Sequence, residues 1–176
     1  MRKILAMQTY IALLRAVNVG GTGKLSMSEL KAICEAAGFG RVRTFIASGN
    51  VVFSSNLTEA AVKQALNDKL HACAGKPVGV LLRSAVEMAA VLAANPFADA
   101  PGKRVAAIFL DAVPPPDALA AAVGLKNELM ALGQREIYVH YRDGMGDSKL
   151  RIPAAKTGTA RNMNTVAKLA TMAACD

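Results

Sequence analysis

At 176 residues, 53% hydrophobic and 19% charged, the chain has room for one domain or two small ones, and its composition excludes a disordered or low-complexity protein. The 21 Lys and Arg against 13 Asp and Glu give a formal +8, which favours an anionic partner and equally suits a solvated, soluble surface. Cys34, Cys73 and Cys175 are odd in number, far apart and without CxxC or Cys/His spacing, which excludes a structural zinc site and predicts reduced thiols in a cytoplasmic protein. Arg2 and Lys3 precede an apolar run, but Gln8, Thr9 and Arg15 interrupt it and no small-residue cleavage pattern follows, so no signal peptide is predicted. No other run reaches the roughly 18 apolar residues of a membrane span. Residues 1–6 read as an N-terminal extension or alternative start.

Residues 10–17 form an apolar run rich in Ile, Leu and Val and predict a buried strand. It runs into a glycine-rich loop, after which Ser26 or Ser28, with Glu29, opens a helix that Gly38 and Gly40 stop. Residues 43–55 read as two strand-like runs around Gly49-Asn50, with glycine taking the positive φ of a type II′ hairpin turn. One long strand with a glycine bulge is the alternative. Thr58 caps a second helix, with Val62, Leu66 and Leu70 on its apolar stripe, and residues 77–83 form a further strand. The order strand, helix, two hairpin strands, helix, strand is the βαββαβ of a ferredoxin-like fold.

The pattern then partly repeats. Residues 86–94 predict a helix, 104–112 a strand and 117 onward a short alanine-rich helix behind Pro114, Pro115 and Pro116. Strands at 128–132 and 136–141 join through Gly133-Gln134, residues 148–156 read as a Pro153-interrupted helix, and a last helix runs over 160–174. The expectation is an α+β protein: a ferredoxin-like half over 7–90 and a second related α/β half over 91–176, with the boundary within 84–104.

Three stretches carry a family resemblance: YIALLRAVNVGG at 10–21, RTFIASGNVVF at 43–53, and YVHYRDGMGDSKL with TARNMNTVAKLA at the C-terminal end. The chain resembles the bacterial domain of unknown function 1697 family over nearly its whole length after Met7. The resemblance implies a two-part α/β fold of ferredoxin-like character and no established activity. In two places the chain departs from the family: Met163 stands where Trp is frequent, and the helical stretch after Leu150 is shortened. Both bear on the wall of any pocket near the last helix.

The loop from Asn18 to Lys24 invites comparison with the phosphate-cradling GxxxxGK(S/T) loop but fails it. Asn18 replaces the first glycine, and Leu25 replaces the magnesium-binding hydroxyl. Ser26 likewise breaks GxGxxG. A weaker site survives, in which Gly20, Gly21 and Gly23 expose amides before a helix while Arg15, Asn18 and Lys24 add donors. The same glycines also suit a plain tight turn. Ser48 and Asn50 make a polar hairpin tip, read first as a turn and second as ligand donors. Arg161, Asn162 and Asn164 crowd the start of the last helix, where a guanidinium, orphan amides and helix dipole suit an anion, and where Asn also suits a cap. Within 142–168, Arg142, Lys149, Arg151, Lys156, Arg161 and Lys168 outnumber Asp143 and Asp147.

His140, unaccompanied by a nucleophile or carboxylate motif, reads as an exposed or partly buried strand residue, and no catalytic residue is assigned. Asp143 and Asp147 lack the acidic density of an EF-hand, so no metal is predicted, and no cofactor is identified. Three functions follow. The first is binding of a small phosphorylated or nucleotide-like ligand, requiring Arg15, Asn18, Arg161, Asn162 and Asn164 to converge. The second is nucleic-acid binding on a sheet face, requiring exposed Tyr10, Phe45 or Phe53. The third is a protein-interaction role, requiring an uncovered apolar face or edge. No membrane partner is expected, and oligomeric state is left open.

Overall fold

The computed structural model describes residues 4–15, 25–46 and 49–175 and divides into two compact units, Met1–Met88 with Thr171–Asp176, and Ala89–Ala170. The first unit runs β1 (Ile4–Leu14), α1 (Met27–Ala36), β2 (Gly40–Phe45), β3 (Asn50–Leu57), α2 (Glu59–Ala74) and β4 (Val80–Ser84), the expected βαββαβ succession. Its strands form one antiparallel sheet in the order β2-β3-β1-β4.

The side-chain period of two sorts this sheet. Tyr10, Ala12 and Leu14 of β1, Val51 and Phe53 of β3 and Val80 and Leu82 of β4 face one way, into a core closed by Leu30 and Cys34 of α1 and Val62, Leu66 and Leu70 of α2. Each such fully buried Leu, Val or Phe contributes roughly 1.5–3 kcal/mol. Ile11, Leu13, Val52, Leu81 and Arg83 face the other way and are buried too, which is why these strands read as continuous apolar runs rather than alternating ones.

Helix α1 begins at Ser26, whose Oγ accepts from the Glu29 amide (3.1 Å) while the Ser26 amide donates to Glu29 Oε2 (2.8 Å). It ends at Gly38, φ +90°, with Gly38 N–H bonded to Glu35 O and Phe39 N–H to Cys34 O, a closure that favours glycine at the left-handed position. Thr58 caps α2 through the Ala61 amide (3.3 Å).

After α3 (Ala85–Ala93), the second unit carries β5 (Val105–Phe109), β6 (Leu129–Leu132), β7 (Glu136–His140) and β8 (Thr159–Asn162), and the chain ends in α4 (Met163–Ala174), whose residues from Thr171 on count with the first unit. This sheet, β6-β7-β5-β8, is again antiparallel and repeats the strand order of the first. Ile108, Leu110, Ile137, Val139 and Ile152 form its core on one face, with Leu119 and Ala122 packed against them.

Several expectations are corrected. Strand β1 starts at Ile4, not residue 10, with Ile4 opposite Leu57 of β3. β2 ends at Phe45 and Asn50 already lies in β3, so the connection is wider than a Gly49-Asn50 turn, and Ile46 and Gly49 both have positive φ. No helix forms after Asp117; successive i to i−3 bonds (Ala118 to Pro115, Ala120 to Asp117, Ala122 to Leu119) make a chain of turns between the prolines and Gly124. Residues 148–156 keep only a 3-10 turn at Pro153–Ala155, since Pro153 has no N–H to extend a helix backward. Residues 160–162, expected as helix, pair with β5 instead, so α4 begins only at Met163.

Candidate anion-binding site

The end of β1 gathers chain segments far apart in sequence. Leu13 lies opposite Asn50, the Leu14 amide donates to Gly49 O (2.9 Å), and the Arg15 amide donates to Gly79 O (2.8 Å). The strand therefore leaves the sheet between the tip of the β2–β3 hairpin and the start of β4, because the strand order puts β1 between β3 and β4.

Gly79 is the reason the Arg15 side chain fits there. A Cβ at Gly79 would come within 2.8 Å of Arg15 Cδ, so the aliphatic stem of the arginine passes over Gly79, where no side chain stands. Arg15 is half-buried at this point. Asn50 is fully buried and donates Nδ2–H to Phe45 O (3.0 Å), the local bond that holds the hairpin shut. Asn18, Gly20, Gly21, Lys24 and Ser48 lie outside the described residues. Beyond them, the Ser26–Glu29 box occupies two of the orphan amides of α1 and sets a carboxylate in its first turn.

Arg161, Asn162 and Asn164 belong to the second unit, and Arg15 and Asn50 to the first. Asn162 Oδ1 accepts from the Thr165 amide (2.9 Å), the capping role. Asn164 is exposed. Arg161 is buried, and its Nη1 turns back along its own strand to Thr159 Oγ1 (2.8 Å) and Ala160 O (3.0 Å). Burial pushes this guanidinium down to about 10, which leaves it a cation at neutral pH.

Sequence reading missed an arginine of the first unit that is placed in its sheet as Arg161 is in the second. Arg83 is fully buried in β4, lies opposite Ile11 of β1, and donates Nη1–H to Leu82 O (2.8 Å). Arg161 of β8 lies opposite Ala107 of β5 and bonds to the preceding carbonyl in the same way. Each arginine is followed by a polar residue that caps the next helix: Ser84, whose Oγ accepts from the Glu87 amide (3.2 Å) and whose amide donates to Glu87 Oε1 (2.9 Å), and Asn162. The signal was present as an arginine before a capping residue in both RSAVE at 83–87 and RNMNT at 161–165. Among the described residues no buried side-chain nitrogen or oxygen lacks a hydrogen-bond partner.

His140 is half-buried, with its ring 5.7 Å from that of Phe97. Tyr138, on the same face of β7, donates its hydroxyl to Val91 O (2.7 Å), and burial pushes it up to about 12. Asp143 accepts from Asn127 Nδ2 (2.7 Å). Among the described residues no group of His, Cys, Asp and Glu could hold a metal ion, and no helix is long and apolar enough to cross a membrane.

No curated protein matches the sequence. A solved structure, the conserved bacterial protein SP0830 from Streptococcus pneumoniae, is similar to this chain at 26% identity with a TM-score of 0.80, covering 96% of this chain and 99% of that one. The profile described as "Protein of unknown function (DUF1697)" matches residues 7–138, most of the length, from within β1 into β7. That match covers well over half of the chain, and the chain belongs to the DUF1697 family of proteins of unknown function.

Proposed function

We propose that the chain binds a small anionic ligand, phosphorylated or nucleotide-like, at the end of the first sheet where β1 gives way to the loop at 16–24. The observation that carries this reading is the pair of backbone bonds from Leu14 to Gly49 and from Arg15 to Gly79, which flank the start of that loop. Arg15 supplies the cation, and Asn18, Gly20, Gly21 and Lys24 follow it in the chain as donors, with Ser48 beside Gly49. The formal +8 favours capture of an anion over distance. Arg161 and Asn162 are engaged in strand and cap bonds, so they are weaker contributors to this reading than Arg15. No reaction is assigned. A cytoplasmic location fits the free Cys34, Cys73 and Cys175.

The nucleic-acid reading loses its stacking surface: Tyr10 and Phe53 are buried in the first core, and Phe45 is partly covered. Calorimetric titration with inorganic phosphate and with nucleoside phosphates tests the proposal. Arg15→Ala and Lys24→Ala are each expected to weaken binding by about tenfold or more, the loss of one charge-assisted contact. A Cβ at Gly79 would meet Arg15 Cδ, Cγ and Cβ, so Gly79→Ala forces the arginine stem to shift and is expected to weaken binding similarly. Unaltered affinity in all three variants contradicts the site.

A further inference from the structure

The two sheets treat their corresponding outer edges differently. β2 is guarded: its register with β3 shifts between Gly40 and Arg43, Arg41 takes φ +49°, and that arginine is exposed. A bulge and a charge are what keep a sheet edge from pairing with another chain. β6, which holds the same position in the second sheet, pairs with β7 in unbroken register and reads Leu-Met-Ala-Leu. Leu129 and Leu132 are 45% and 37% exposed.

The charges that adjoin β6 are drawn away from it. Glu128 is buried and accepts from the Lys126 amide (2.9 Å) and Ser148 Oγ (3.0 Å). Arg135 donates Nε–H to Asp111 O (3.0 Å). The stretch 129–134 carries no charged residue at all, in a chain of formal charge +8.

From this edge we infer that β6 is a self-association edge, on which β6 of a second copy adds antiparallel. The Gly133 amide bonds to Glu136 O (2.7 Å), and antiparallel alternation from that pair leaves the backbone N–H and C=O of Met130 and Leu132 turned away from β7. A two-fold axis through Ala131 places Met130 opposite Leu132 of the partner subunit and the reverse, so the outward groups of both copies bond to one another. The smallest side chain of the strand then lies on the axis, where the two backbones approach most closely, and Leu129 faces Gly133 of the partner subunit. No like charges meet within the paired strands, which is the condition for two copies of a strongly basic chain to pair. Four residues per copy make a small contact, so the dimer belongs to the transient class below roughly 1,200 Å².

Sedimentation equilibrium of the full chain, from micromolar to near-millimolar concentration, tests this. The weight-average mass is expected to rise from 18.4 kDa toward twice that value. Leu132→Lys is expected to weaken association by about tenfold, while Thr44→Lys on the guarded edge leaves it unchanged. Hydrogen exchange at the Met130 and Leu132 amides is expected to slow with concentration. A mass fixed at 18.4 kDa across the range overturns the inference. So does a dimer that keeps its affinity in Leu132→Lys, or that protects neither amide. If circular dichroism shows Leu132→Lys unfolded, Leu129→Lys replaces it with the same expected outcome. A chain that stays monomeric and gains protection there only from an added apolar peptide assigns the edge to a different partner and also overturns it.

Discussion

Replacing Phe53 by alanine is expected to lower the unfolding free energy by about 3–5 kcal/mol, the usual loss for a buried aromatic. Phe53 is fully buried at the centre of β3, where its ring stacks on Phe39 with centroids 4.4 Å apart and planes 10° from parallel, and lies 6.0 Å from Tyr10. The ring joins three elements, since Phe39 leads into β2 and Tyr10 sits opposite Phe53 on β1. Truncation removes the transfer free energy of the ring and leaves a cavity bounded by strands that hydrogen bonding keeps from collapsing. For a chain of this size the midpoint of thermal unfolding should fall by roughly 10 °C, taking about 2–4 °C per kcal/mol. Phe53→Leu, which keeps most of the volume, should lose less than half as much. A denaturation curve for Phe53→Ala within about 1 kcal/mol of the parent would contradict the assignment of this ring to the core.

Arg83→Ala should cost a similar amount, about 3–5 kcal/mol, for a different reason. The arginine is among the largest fully buried side chains and bonds to Leu82 O from the face of β4 opposite the first core. Truncation leaves both a cavity and polar groups without their donor. Arg83→Met separates these terms. It restores most of the volume and removes the cost of holding a charge out of water, so it should recover at least half the loss. Equal destabilisation in the two variants, measured by urea unfolding, would mean that the hydrogen bonds of Arg83 outweigh its packing. A loss below about 1 kcal/mol in Arg83→Ala would contradict its burial.

The first unit was legible because each local signal had one dominant cause. Ser26 with Glu29, Gly38, Thr58 and the stripe of α2 each specify a helix end or face, and the strands between them are apolar. The second unit was harder because tertiary pairing overrode local preference. Alanines after Asp117 favour a helix, but three prolines and Gly124 bracket them too closely for one to propagate, and turns with Leu119 and Ala122 in the core replace it. Residues 159–162 have no strand signature; they are extended because β5 offers them a free edge. The turn role of Asn50 was readable from its place at a hairpin tip, while the juxtaposition of that tip with the end of β1 depended on strand order, which no local pattern encodes. Arg83 was overlooked because a single cation in an apolar strand carries no signal by itself; only its match with Arg161 across the two sheets gives it one.

Native mass spectrometry of the protein purified without a denaturing step, before and after a high-salt wash, tests the anion-binding proposal most directly. With no tryptophan and three tyrosines the polypeptide absorbs weakly near 280 nm, so the ultraviolet spectrum of the same sample reports any bound nucleotide independently. The proposal predicts a discrete added mass that survives salt, or one that appears when phosphorylated compounds are supplied and disappears in Arg15→Ala. A bare polypeptide mass throughout, unchanged by millimolar inorganic phosphate or nucleotides, would contradict it.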